Sequence, residues 1–125
     1  MTQTTATVSL SVARVGSGGN TNQGEYFYSF NPANLLVFEA DTKVVYELSS
    51  ESADSFEIWR VVTSDNSDQI KGVDRAASRR SISFTNANTV EQLISVSVLV
   101  IDKANDGAIV NCDPQMNNVP TGGIG

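Results

Sequence analysis

Four carboxylates, Glu47, Glu51, Asp54 and Glu57, crowd into one short stretch of this chain. A hairpin joining two strands would gather them at one end of a domain. Paired carboxylates divide general-acid and general-base roles when one of them is desolvated. The surrounding "LSSESADS" is serine-rich turn sequence, which predicts solvated, ionised groups rather than a catalytic pair. A histidine-free hydrolase or a carbohydrate-binding site built on these carboxylates is the alternative function the sequence keeps open. Arg75, Arg79 and Arg80 form the basic cluster of the chain. Guanidinium forks match carboxylate or phosphate geometry, so an anion is their candidate ligand, but Asp65, Asp68 and Asp74 lie in the same segment and predict internal neutralisation.

Other chemistries fail on residue type. Histidine is absent, and with it go the commonest general base near neutral pH and the commonest nitrogen ligand for metals. One cysteine without histidine cannot furnish a tetrahedral zinc or iron shell, so no transition metal and no other cofactor is expected. Asp102, Asn105 and Asp106 in "DKANDG" are oxygen donors that a calcium ion would accept. They lack the alternating spacing and distant bidentate glutamate of a calcium loop, and the segment reads as a hairpin turn. "GSGGNTNQG", residues 16–24, lacks the Gly-Lys-Ser/Thr ending of a phosphate-binding loop and is read as a mobile connection. Cys112 sits beside Asp113, whose charge disfavours the thiolate, and is read as inert core filling. No serine has a histidine partner for nucleophilic catalysis.

The elements that must carry these residues are strands. At 125 residues the chain is the size of one domain, and a compact fold of that size buries roughly two-thirds of its unfolded surface. "TATVSLSVARV" puts Ala6, Val8, Leu10 and Val12 on one face, and "TKVVYEL" does the same with Val44, Tyr46 and Leu48. "SFEIWRVV" turns Phe56 and Ile58 inward and Trp59 to the opposite face, where it either lines an interaction surface or packs between sheets. "EQLISVSVLVID" is apolar on both faces and predicts a central strand. Asn31-Pro32 predicts a kink or an edge, and residues 63–80 an irregular crossover with a helical turn around residues 69–73. The fold expected is all-β: an antiparallel, immunoglobulin-like β-sandwich of seven to eight strands spanning residues 5–114. Residues 1–4 are expected to be a flexible tail. Asp113-Pro114 is expected to end the last strand, leaving residues 115–125 as an extended arm or a disordered tail.

Eight basic against fourteen acidic residues give a net charge of −6, which disfavours nucleic acid and anionic membranes as partners. No apolar run approaches a membrane span, and no export signal is recognisable at the N-terminus. With a lone cysteine, the expected compartment is the cytoplasm.

Two stretches resemble known families. "YSFNPANLLVFEADTKVVYEL" is similar to the opening of cupredoxin-type sandwiches, a likeness of architecture alone because their copper sites need two histidines. Over about residues 7–120 the chain resembles the DP-EP family of small bacterial proteins. The residues that carry it are "YSFNPANLLV", "TKVVYEL", "VSVLVID" and Asp113-Pro114 followed by Asn118-Val119-Pro120, with Val119 where the family name has glutamate. That resemblance implies a β-sandwich of unknown activity. A looser likeness of the late Asp-Pro to bacterial inclusion-body proteins implies self-association. The function expected is therefore a non-enzymatic interaction module that binds a protein partner or a second copy of itself. Trp59, Asp113, Pro114 and Pro120 are its candidate contact residues, with the arm from Gln115 onward crossing a neighbour or the chain's own edge strand.

Overall fold

A computed structural model describes residues 3–120. They form an all-β sandwich of ten strands and two mixed five-stranded sheets. The first sheet has the order β2-β1-β4-β7-β6, built from β1 (Thr5–Arg14), β2 (Tyr26–Asn31), β4 (Thr42–Leu48), β6 (Ile70–Arg75) and β7 (Ser81–Asn86). The second has the order β3-β10-β8-β5, from β3 (Asn34–Val37), β5 (Phe56–Thr63), β8 (Gln92–Asp102) and β10 (Gln115–Asn118), with β9 (Ala108–Cys112) also paired to β8. Pairing is not wholly antiparallel: β1 runs parallel to β4, and β3 parallel to β10.

The core lies where the two-residue periods converge. Val8, Leu10, Val12, Val44, Tyr46, Ile82 and Phe84 point inward from the first sheet. Phe56, Ile58, Ile94, Val96, Val98 and Val100 meet them from the second. The Tyr26 and Phe56 rings pack edge to face across the interior, and Phe30 packs in the same way on Tyr46. Strand β8 is central, as its two apolar faces predict, with β5 on one side and β9 and β10 on the other.

Two expectations are corrected. Residues 69–73 do not turn as a helix. The Asp65 carboxylate accepts the backbone N–H groups of Ser67, Gln69 and Ile70, which closes the turn and launches β6 against β7. Burial alone would raise the Asp65 pKa, but those N–H groups outweigh it and hold the carboxyl below its ordinary value.

Nor does Asp113-Pro114 end the last strand. The register of β9 on β8 (Val98 opposite Cys112) and that of β10 on β8 (Ser95 opposite Gln115) are one continuous register. Pro114 cannot donate to the ladder, yet its carbonyl accepts the Val96 N–H at 3.2 Å, so only one ladder bond is missing. The inward alternation runs unbroken through Val110, Cys112, Pro114, Met116 and Asn118, all buried. The start of the expected arm, Gln115–Asn118, is thus an internal strand between β8 and β3. Residues 1, 2 and 121–125 of the expected tails lie outside the described residues.

Candidate interaction surface

Trp59 is the extra residue of a bulge in β5. Ile58 pairs with Val100 and Arg60 with Leu99, leaving no partner for Trp59 between them. The extra residue sends both Trp59 and Arg60 outward, while Ile58 stays fully buried. Trp59 is 40% exposed, and the Arg60 guanidinium lies 5.2 Å from its ring centroid, within cation–π range. Val62, also exposed, continues this face along β5. Trp59 therefore does not pack between the sheets, the other position the sequence left open for it.

The three arginines are engaged by groups of the protein itself. Arg80 donates to the carbonyls of Ser49, Ser52, Ala53 and Phe56 at 2.9–3.2 Å and so knits the 49–56 turn to the hairpin between β6 and β7. Arg75 donates to the Trp59 carbonyl at 3.2 Å, and Arg79 lies 3.6 Å from Glu57. The aspartates expected to neutralise them make none of these contacts.

The four carboxylates are not brought together either. Glu47 points outward from the first sheet and Glu57 outward from the second, which are opposite surfaces of the sandwich. Glu51 and Asp54 are exposed in the turn. Glu57 is bridged by Lys103 at 3.1 Å, and that hydrogen bond, aided by Arg79, holds its carboxyl below the ordinary value, so it is ionised at neutral pH.

The "DKANDG" donors are spent within the fold. Asp102, buried, accepts the Tyr26 hydroxyl at 2.7 Å and the Ala104 N–H at 3.0 Å. The Asn105 amide donates to the Tyr26 hydroxyl and to Glu25, which pairs with Arg14. Asp106 and Gly107 take the positive φ values that the turn reading predicts. An open groove of about 290 Å³ adjoins this network at one end of the sandwich, lined by Val12, Arg14, Glu51, Phe56 and Asp102. Its walls are mainly apolar, and its buried carboxylate is already satisfied by Tyr26 and Ala104.

Asp113 and Pro114 border a polar depression of about 280 Å³ with Ser95, Ser97, Asn111 and Gln115. Asp113 accepts the Ser97 hydroxyl at 2.8 Å, whereas Pro114 faces the core. Pro120 follows β10, half-buried. Cys112 is fully buried, and burial followed by the Asp113 charge pushes its thiol up to about 12. Among the described residues no helix is long and apolar enough to cross a membrane.

The residues that sequence reasoning missed are amides. Asn118, Asn86 and Gln69 form a buried cluster: Asn86 and Asn118 exchange hydrogen bonds at 2.7 and 3.1 Å, and Asn118 also donates to Gln69. Gln69 in turn accepts the backbone N–H groups of Thr89 and Val90. This cluster ties β10 of one sheet to β7 of the other.

The glycine-rich loop, expected to be a mobile connection, is anchored by its side chains. The Asn20 amide brackets the backbone of Tyr28 on the outer edge of β2, and Thr21 and Asn22 bond the backbone of Ile109 and Asn111 on the outer edge of β9. A Cβ on Gly19 would collide with the Tyr26 carbonyl, which explains a glycine there.

No family model matches this chain, and no curated protein matches it. The resemblance to the DP-EP family therefore stands on the quoted residues alone.

Proposed function

We propose that this chain is a non-enzymatic interaction module that binds protein through the outer surface of its second sheet, and that it works in the cytoplasm, where a lone buried cysteine stays reduced. One observation carries the reading: the bulge in β5 brings Arg60 and Val62 onto the outer face beside the single, outward-facing tryptophan. Tryptophan and arginine are the residue types that dominate binding energy at protein interfaces. The groups suited to catalysis are engaged otherwise, with Glu57 on Lys103 and the arginines on backbone carbonyls. The implied DP-EP membership and its β-sandwich of unknown activity agree with such a module.

The test uses Trp59 as its own reporter. Its fluorescence should respond when a partner protein binds this face, and Trp59→Ala should abolish that binding while leaving the unfolding free energy within about 0.5 kcal/mol of wild type, as for an ordinary surface substitution. A strictly monomeric chain that binds an oligosaccharide saturably, with binding lost in Glu47→Gln or Glu57→Gln, would overturn the reading in favour of the carboxylate alternative.

A further inference from the structure

Sheet edges present unpaired N–H and C=O groups that pair with other chains unless something blocks them. Here almost every edge is blocked by an identifiable device. The β2 edge is bracketed by Asn20, and the β9 edge by Thr21 and Asn22. Along β5, the Phe56 carbonyl takes Arg80, the Ile58 N–H takes the Arg79 carbonyl, and the Trp59 carbonyl takes Arg75. Strand β6 is bulged between Lys71 and Asp74, carries Gly72 at positive φ, and bears charge at Lys71, Asp74 and Arg75.

Strand β3 is the exception among the described residues. The Val37 carbonyl accepts the Val119 N–H, so Val37 and Leu35 turn their backbone groups toward β10. By alternation the N–H and C=O of Asn34, Leu36 and Phe38 point away from the sheet, and among the described residues no side chain hydrogen-bonds them. The stretch from Pro32 to Phe38 holds no charged residue, in a chain of net charge −6. Leu36 and Phe38 are 48% and 46% exposed, and Leu93, which shares a row with Leu36 through Asn117, is 54% exposed.

We propose that β3 is the edge through which two copies of this chain pair, antiparallel and about a two-fold axis, which joins their second sheets into one continuous sheet. The occupant is a second copy because the edge is self-complementary. With Leu36 opposite Leu36 of the second copy, Asn34 falls opposite Phe38, every outward backbone group in the stretch finds a partner, and inner faces stay on the same side. Charge argues the same way, since two bodies of −6 repel except where their contact is neutral, and this edge is neutral. The pairing leaves Trp59, on the opposite edge of the same sheet, free. The inference rests on the interaction reading above but uses a different surface, so the two fail separately.

The register predicts its own test. In a hydrogen-bonded antiparallel pair, opposed Cα atoms lie about 5.5 Å apart, inside the range a disulfide spans. Leu36→Cys in the full chain should therefore form a disulfide-linked dimer under mild oxidation. Wild type should not, because Cys112 is buried and its thiol is pushed up to about 12. In sedimentation experiments Leu36→Lys, which sets like charges face to face, should weaken the dimer on the order of a hundredfold or more. Val73→Lys, an exposed change on the already bulged β6 edge, should leave it unchanged. Thermal melts confirm that each variant folds. A wild-type dimer that survives Leu36→Lys and gives no Leu36→Cys cross-link overturns the β3 edge and leaves the interaction reading intact. A wild type monomeric at all concentrations also overturns it, and the interaction reading is then decided by Trp59→Ala against a heterologous partner. Wild type monomeric alone but bound at β3 by another protein, with binding lost in Leu36→Lys, replaces the second copy with that partner and overturns self-pairing.

Discussion

Asn118→Ala tests whether the last strand is part of the fold, and the structure sets its magnitude. The Asn118 amide is 1% exposed and takes part in three hydrogen bonds, two with Asn86 and one with Gln69. After truncation Gln69 keeps its two backbone donors, Thr89 and Val90, and the Asn86 carbonyl keeps Asn88. The Asn86 NH₂ group is left with only the Met116 sulfur at 3.3 Å, a weak acceptor. A buried donor stripped of its partner costs about 1–3 kcal/mol, and each lost bond adds about 1 kcal/mol before relaxation, so a loss of about 2–4 kcal/mol is expected. With urea slopes of about 1–3 kcal/mol/M, the unfolding midpoint should fall by about 1–2 M, read by Trp59 fluorescence or circular dichroism. Asn86→Ala should cost a similar amount, and the double variant much less than the sum, because each change removes the same two contacts. A midpoint shift smaller than that expected from about 0.5 kcal/mol, or strict additivity, would refute the cluster as the tie between the sheets.

Tyr46 is fully buried and its hydroxyl has no hydrogen-bond partner among the described residues, so Tyr46→Phe should be neutral or raise stability by about 1 kcal/mol in a denaturant melt. Burial raises the pKa values of both Tyr46 and Cys112, the latter from 9.0 to about 12. The unfolded chain therefore binds fewer protons in alkali. The stability these groups contribute is complete below pH 9 and declines as pH climbs toward 12, and a pH series of thermal melts should show that decline reduced in Cys112→Ser/Tyr46→Phe. For the same reason thiol reagents should label Cys112 at pH 8 only once the protein is unfolded. Gly19→Ala should displace the loop from the β2 and β9 edges at a cost of about 2 kcal/mol or more, with faster amide exchange at Tyr28 and Asn111 as its mark.

The strands were legible because burial on one face enforces a two-residue period, and Val8-Leu10-Val12 and Val44-Tyr46-Leu48 obey it with apolar residues alone. Strand β10 was not, because its inward positions are Pro114, Met116 and Asn118, and a proline and an amide break the apolar signal while preserving the alternation. The buried amides escaped notice because Asn and Gln read as turn or surface residues unless a partner is known, and their partners lie 32 and 49 residues apart in sequence. Alternation alone places Trp59 outward, but the outward Arg60 and Val62 beside it depend on a bulge, and nothing in "SFEIWRVV" marks the extra residue. The glycine loop was misjudged by composition: glycines permit mobility, but Asn20, Thr21 and Asn22 convert it into an edge cover. The arginines were correctly found as a cluster, and their acceptors proved to be carbonyls, which no side-chain pattern records.

Removing residues 115–125 is the deletion by which a protruding arm would be tested, and here it should unfold the domain instead of dissociating it. Met116 is completely buried, and loss of such a side chain alone costs about 2–5 kcal/mol. The Asn118 cluster adds its about 2–4 kcal/mol, and β3 loses its neighbour in the sheet, exposing Leu35 and Val37, which are otherwise buried. The first two together come to about 4–9 kcal/mol before the loss at β3 is added, which is comparable to the whole stability of a single domain, about 5–15 kcal/mol. The truncated chain should therefore lose its cooperative melt and its near-ultraviolet circular dichroism. A truncated chain that keeps a cooperative melt near the wild-type midpoint, with a smaller oligomer, would show that this segment crosses to a neighbour and that its place between β8 and β3 is not where it acts.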